Sequence, residues 1–348
     1  MQLPDSLAER LLNWYALDHR ALPWRQDHEP YHVWLSEIML QQTRVEAVKR
    51  YYLRFLAELP DIAALAACPE DRLAKLWEGL GYYSRMRNLQ KAARTVMAQY
   101  GGLFPQDYAA IRTLPGIGDY TAGAIASICF DAPTPAVDGN VLRVLARVTE
   151  DPAPVTRPAV KKAYEAELRP VYAANPDRRS ELTQALMELG ACVCVPNGAP
   201  KCAVCPLLAV CLAGKSGAWD HLPAKEAKKA RRIEEKTVFF LRCGDAYAVR
   251  KRPGTGLLAG LWELPNVEGL LDAQQALALL DCWGLTPEEL TRTRERTHIF
   301  THVEWKMRCY DIRTAAPAGD LTWVDGARFQ QDIALPTAFR IFWDTAQT

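Results

Sequence analysis

No stretch of the 348-residue chain approaches the roughly 18 uninterrupted apolar residues of a membrane-spanning helix, which excludes that class. The opening MQLPDSLAER lacks the basic and apolar regions of a secretory signal, so the expected location is the cytoplasm, with no membrane partner. Internal repeats and low-complexity tracts are also missing, and a composition 24% charged and 49% hydrophobic is ordinary for a globular chain, so disorder and collagen-like classes are not expected. A surplus of one charge is absent too: 42 Lys and Arg face 41 Asp and Glu, for a net charge of +1. Attraction to a polyanion must therefore come from where the charges sit, not from their sum. Ten cysteines occur, but without the short secreted context that favours disulfides, so metal binding or burial is the expected use.

The length suggests two domains at about 150 residues each. Residues 1–214 carry helical spacing throughout. Leu7, Leu11, Leu12 and Tyr15 form a first stripe, and Pro30 occupies an N1 position before HVWLSEIMLQQT. Further helices are predicted over 45–58, 71–78, 84–100, 107–113, 119–130, 139–148, 158–173 and 178–192. Residues 215–235 form a candidate interdomain linker, in which 225–232 hold five basic residues against Glu226; a solvated helix face is the other reading. From Lys236 the period becomes two. KTVFFLRC and AYAVRKR read as strands joined at Gly244-Asp245, and Val303, Trp305, Met307 and Cys309 form one face of another strand. Helical runs near 272–282 and 336–346 complete an α+β domain over 236–348.

Three clusters carry chemistry. In LPGIGDYTAGAIAS, within 107–130, Gly116 and Gly118 let the backbone approach a ligand. The following helix start offers N–H groups to an anion such as a DNA phosphate, so the segment reads as a helix-hairpin-helix. Within PAVDGNV, Asp138 precedes a helix and, taken alone, is an N-cap. Cys194, Cys202, Cys205 and Cys211 fall within 18 residues as C-x7-C-x2-C-x5-C, a thiol set expected to hold metal. Structural zinc favours two C-x2-C pairs and only one is present, so a four-iron four-sulfur cluster is the better expectation. Cys192 is a rival first ligand. The scattered Cys68, Cys129, Cys243, Cys282 and Cys309 read as core.

The hairpin, the aspartate at this distance and the cysteine loop together resemble the helix-hairpin-helix DNA glycosylases, a superfamily that includes endonuclease III. The resemblance spans 1–214 almost continuously. LSEIMLQQTRV at 35–45 and tyrosine at position 120, where endonuclease III-like chains have lysine, resemble the MutY-type adenine glycosylases. Without an amine at that position no Schiff base forms, so a monofunctional enzyme is implied. Base excision of adenine paired with 8-oxoguanine or guanine in double-stranded DNA follows from the resemblance, carried out by a monomer. An endonuclease III-like pyrimidine glycosylase/lyase and a non-enzymatic DNA-binding module are the alternatives.

Glu37 and Gln41, four apart, are expected on one helix face among Val33, Trp34, Ile38 and Leu40, where a carboxyl should have a raised pKa suited to protonating a leaving purine. The resemblance implies that Asp138 stabilises the cationic sugar with Tyr120 and Asn140 in support. It also implies that Gln42 and Tyr82 wedge the base stack, and that Arg25, Glu37 and Gln184 line the adenine pocket. Arg85 and Arg87, after Tyr82, suit a kinked DNA backbone. Asp119 departs from the family, whose members usually carry a basic residue there. The first cysteine loop is one residue longer than usual; the GA-x-V-C register favours Cys194 over Cys192. The C-terminal region resembles a Nudix-like lesion reader, with GLLAGLWELP at 256–265 its clearest piece. The glutamate-rich helix of a Nudix hydrolase is missing from 269–284, so magnesium-dependent hydrolysis is not expected. HIFTHVEW resembles the family's oxidised-guanine-reading loop, with Phe300, Thr301 and His302 in place and threonine where serine is usual.

Overall fold

The computed structural model describes residues 2–226 and 230–346. Two compact units emerge: one of residues 1–67 and 87–227, the other of residues 68–86 and 228–348. A simple cut of the chain near 214 does not describe this division. Residues 68–86 fold with the C-terminal unit, and residues up to Glu226 stay with the helical one, where Leu222 O accepts from Arg147 and Ala224 O from Val155.

The helices in chain order are α1 (Leu7–Leu17), α2 (Pro30–Leu40), α3 (Val45–Glu58), α4 (Ile62–Ala67), α5 (Glu70–Trp77) and α6 (Tyr83–Tyr100). They continue as α7 (Tyr108–Arg112), α8 (Asp119–Phe130), α9 (Gly139–Val148), α10 (Pro158–Ala173), α11 (Arg179–Cys192) and α12 (Leu212–Ser216). In the first unit, apolar faces of α1, α9, α10 and α11 converge on one core that includes Leu11, Leu145, Leu168 and Leu186, all fully buried. Two helices are apolar nearly all round: α2 buries every residue from Val33 to Met39 and α8 every residue from Thr121 to Ile128. Such helices pass through the interior instead of lying on it, and this brings the polar residues at their ends into a shared cavity. No described helix is long and apolar enough to cross a membrane.

The second unit is built on β1 (Arg232–Cys243), β2 (Ala246–Lys251), β3 (Trp262–Glu263), β4 (Asn266–Glu268), β5 (Pro287–Ile299), β6 (Val303–Thr314) and β7 (Thr322–Asp325). Three helices lie among and after the strands in sequence, α13 (Ala273–Cys282), α14 (Gly326–Asp332) and α15 (Thr337–Asp344), and α5 from residues 68–86 belongs to the same unit. The sheet runs β3-β2-β1-β6-β5, with β4 on β1 and β7 on β2, and the central β1–β6 pair is parallel. Alternation sorts the side chains: Val238, Phe240, Trp305, Met307 and Cys309 pack under α14 and α15, whereas Phe239, Leu241, Tyr310 and Ile312 pack under α13.

Several expectations need correction. The strand begins at Arg232, so the last part of the 215–235 linker is sheet, paired with Val303 onward; residues 227–229 lie outside the described residues. The helix holding Glu37 ends at Leu40, which leaves Gln41 just beyond it and not on its face. Among the scattered cysteines Cys68 and Cys309 are buried, Cys129 and Cys243 are half-buried and Cys282 is exposed.

Candidate active site

Three helix ends meet around one carboxyl. Pro30 starts α2 at its first turn, where a missing N–H costs nothing, and the helix then carries Glu37 inward until it is 6% exposed. The hairpin before α8 turns at Gly116, whose φ is 78°; a Cβ there would sit 2.6 Å from the Asn88 Cβ, so the site demands glycine. Gly118 has extended backbone and open space around it, and it caps α8 without a side-chain hydrogen bond. Two residues later the Tyr120 hydroxyl donates to Glu37 Oε2 at 2.6 Å. Asp138 is the N-cap of α9 and accepts from the backbone of Asn140 and Val141 and from Asn140 Nδ2, all at 2.8 Å.

These groups line a cavity of about 740 Å³, together with Arg25, Gln41, Gln42, Gly118 and Gln184. Gln41 Nε2 donates to Thr121 Oγ1 at 3.3 Å, so its position comes from α8 and not from α2. The Tyr15 hydroxyl donates to Gln184 Oε1 at 3.1 Å. Burial pushes the Glu37 carboxyl up to about 7, against the pull of the Tyr120 hydroxyl and Arg25 and with the help of the Asp138 charge. Burial also raises Asp138, which its three N–H donors oppose. Near neutrality the cavity thus holds one carboxyl that can give a proton, beside a second that is solvated by protein N–H groups.

The structure also reveals pocket residues that the sequence reading missed. Glu188, 1% exposed, accepts two bonds from the Arg20 side chain at 2.6 and 2.8 Å and one from Arg25 at 2.8 Å. Burial alone would raise its pKa, but the two guanidiniums outweigh this and hold it at about 2. Its place four residues after Gln184 on α11 was the available signal, since that spacing returns to the same face.

All four cysteines of the C-x7-C-x2-C-x5-C group line one narrow cavity, whereas Cys192 stands outside it and donates to Glu188 at 3.5 Å. Arg147 donates to Cys194 Sγ and the Gly214 N–H to Cys211 Sγ, each at 3.3 Å. Burial, with the neighbouring Cys194, Cys211 and Cys202, pushes the Cys205 thiol up to about 11. Among the described residues no three His, Cys, Asp or Glu side chains form a site for a single metal ion.

Family models match in two places: HhH-GPD superfamily base excision DNA repair protein at residues 35–170, and NUDIX domain at residues 237–345. Adenine DNA glycosylase of Mus musculus is 35% identical over 403 residues, covering 97% of this chain and 78% of its own. Adenine DNA glycosylase of Buchnera aphidicola subsp. Baizongia pistaciae is 36% identical, covering 74% of this chain and 73% of its own. The chain belongs to the adenine DNA glycosylase family. Among solved structures, a thermostable thymine-DNA glycosylase superposes with a TM-score of 0.54 at 27% identity, over 60% of this chain and 95% of that one. A non-covalent endonuclease III–DNA complex shares the fold, with a TM-score of 0.50 at 24% identity over 61% of this chain and 94% of that one.

In this glycosylase the other expected site residues lie elsewhere. Tyr82, Arg85, Phe300, Thr301 and His302 belong to the second unit. Tyr82 and Gln42 are both exposed and both left-handed, with φ of 48° and 58°, a conformation uncommon for residues other than glycine. The Tyr82 hydroxyl lies 3.3 Å from Thr301 Oγ1. Arg85 is 9% exposed, donates to the carbonyls of Leu80 and Gly81 and stacks over Trp77 and Tyr82, so it shapes the Tyr82 loop and is not presented to DNA. Arg87, half-buried on α6, belongs to the first unit but does not line the cavity. Asp119 pairs with Arg112 across the hairpin and accepts from Tyr108 at 3.4 Å, a local partner for an acidic side chain at this helix start.

The carboxyl geometry predicts a pH profile. Below about 7 Glu37 carries its proton, and the single-turnover rate of base release should be level until acid protonates Asp138, whose own pKa burial raises. Above that value the rate should fall about tenfold per pH unit. Glu37→Gln should reduce the rate on the order of a hundredfold or more at pH 7. A rate that stays level to pH 9 would show that another group supplies the proton.

Proposed function

We propose that the enzyme removes adenine from double-stranded DNA where the adenine is paired with 8-oxoguanine or guanine, by hydrolysing its N-glycosidic bond. The observation that carries this reading is the pairing, in one cavity, of a buried acid near pH 7 with a second carboxylate held by N–H donors. The adenine leaves the base stack at a cost of a few kcal/mol, with Gln42 and Tyr82 as wedges, and enters the pocket beside Arg25, Gln41 and Gln184. Glu37 gives its proton to N7. The C1′–N9 bond then breaks with its electron pair going to the purine, and the sugar becomes a cation of the oxocarbenium type. Asp138 stabilises that cation while Asn140 holds the aspartate, and Tyr120 orients the Glu37 carboxyl. Water adds its oxygen to C1′ and releases a proton, which restores the acid and leaves an abasic site. Because position 120 offers a phenol and not an amine, no Schiff base forms and the strand stays whole.

Phe300, Thr301 and His302 read the 8-oxoguanine opposite, and the hairpin at Gly116 and Gly118 grips phosphate without reading sequence. The protein acts as a monomer in the cytoplasm. Cys194, Cys202, Cys205 and Cys211 hold one four-iron four-sulfur cluster. Four thiols around one cavity suit that group, and the Arg147 and Gly214 N–H donors suit the charge of metal-bound sulfur. Such a cluster supplies a covalent brace for the 194–211 loop and a redox-capable centre.

Two measurements test this reading. Across a panel of mismatched duplexes, base release should be fastest for adenine opposite 8-oxoguanine, and the product strand should break only after alkali. Trapping of a covalent adduct by borohydride, or release of oxidised thymine instead, would favour the pyrimidine glycosylase/lyase. Purified protein should contain iron and sulfide in near-equal amounts. Cys194→Ser should lose most of both while Cys192→Ser keeps them; zinc in their place would overturn the cluster assignment.

A further inference from the structure

The loop Phe300-Thr301-His302 joins β5 to β6, and it is held from behind by the residues that lead out of the interdomain segment. Arg231 Nε donates to Phe300 O at 3.2 Å, and the Arg232 backbone N–H donates to His302 O at 3.1 Å. Phe300 closes the loop on itself by donating to Val303 O at 2.8 Å. Its ring stands edge-on against Trp305, with centroids 4.8 Å apart, and Trp305 is only 1% exposed. The Trp305 indole N–H donates to Glu234 Oε2 at 2.8 Å, and Glu234 in turn pairs with Arg232. Both outer carbonyls of the loop and the floor under its first side chain are thus fixed by residues 231–234. The Thr301 and His302 side chains stay exposed.

We infer that Arg231 is a positioning residue for lesion choice: by clamping the Phe300 carbonyl it fixes where Thr301 and His302 meet the base opposite adenine. This rests on the proposed reading of the loop as the 8-oxoguanine reader. Guanine and 8-oxoguanine differ by an oxygen at C8 and a hydrogen at N7, so telling them apart depends on hydrogen bonds whose geometry tolerates only tenths of an ångström. A three-residue loop with one carbonyl released would sample several geometries and lose that distinction before it lost general DNA binding. Lysine has a methylene where the arginine Nε stands and carries its donor one atom further out on a flexible stem, so it reproduces the clamp poorly.

Single-turnover base release from adenine opposite 8-oxoguanine and opposite guanine, measured on the full chain, tests this. Arg231→Ala should lower the ratio of the two rates severalfold, in keeping with the loss of one solvent-exposed hydrogen bond. Arg231→Lys should show most of the same loss, and Phe300 amide exchange should quicken in both variants. A drop of equal size on both substrates, an unchanged ratio, or a lysine variant that behaves as the parent would assign Arg231 to phosphate contact or to no role, and would overturn the inference. If the unsubstituted protein itself shows no preference for 8-oxoguanine, the reading of the loop fails and the clamp fails with it. If the preference is present but insensitive to Arg231, only the clamp fails.

Discussion

The contact between the Tyr120 hydroxyl and the buried Glu37 carboxyl is the constraint around which the helical unit is arranged. Placing a carboxyl at 6% exposure has a thermodynamic sign. The Glu37 pKa in the folded chain lies above the ordinary 4.5, at about 7, so between those values the folded protein binds more protons than the unfolded one. Stability therefore declines as pH rises through that window. Above it the full cost is present, of the order of 3 kcal/mol at about 1.4 kcal/mol per pKa unit. Apolar packing along α2 and α8 offsets that cost, and their nearly all-round burial has this functional counterpart.

Glu37 and Glu188 show how neighbours divide two buried carboxyls in one cavity into an acid and an anion. Both are desolvated, which raises both. Glu37 has a phenol and a second carboxylate for company, and its proton stays until about pH 7. Glu188 has two guanidiniums within 2.8 Å and is an anion at any physiological pH. Asp138 is desolvated as well, which raises it, an effect opposed by three N–H groups bonded to it at the head of α9. Its role as helix cap and its place in the cavity are one arrangement, because the same backbone amides that start the helix also solvate the carboxylate.

Much of this was legible in the chain because its causes are local. The stripe Leu7, Leu11, Leu12, Tyr15 becomes α1, Pro30 opens α2, Gly116 turns the hairpin, and the alternation Trp305, Met307, Cys309 becomes one face of β6. Features set by partners far along the chain were not legible. PEELTRTRERTHI shows no alternation because β5 is the edge strand, largely solvated and charged as edges must be to avoid further pairing. Residues 68–86 have ordinary helical spacing, and nothing local says that Lys75 will donate to the Ile333 carbonyl or that Glu78 will accept from the Leu335 N–H and pair with Arg340. Arg85 looks like a DNA contact beside Tyr82 until the carbonyls of Leu80 and Gly81 claim it. Glu188 was hidden because its partners, Arg20 and Arg25, lie more than 160 residues away. Gln41 departed from its expected helix face because α2 stops one residue before it.

The central claim is that Glu37 is a neutral acid at the pH where the enzyme works. Difference infrared titration of the unsubstituted protein against Glu37→Gln follows the carboxyl C=O stretch of that one side chain directly. The account predicts a band half lost near pH 7. A carboxyl already ionised at pH 5 would contradict it, whatever the rates of base release show.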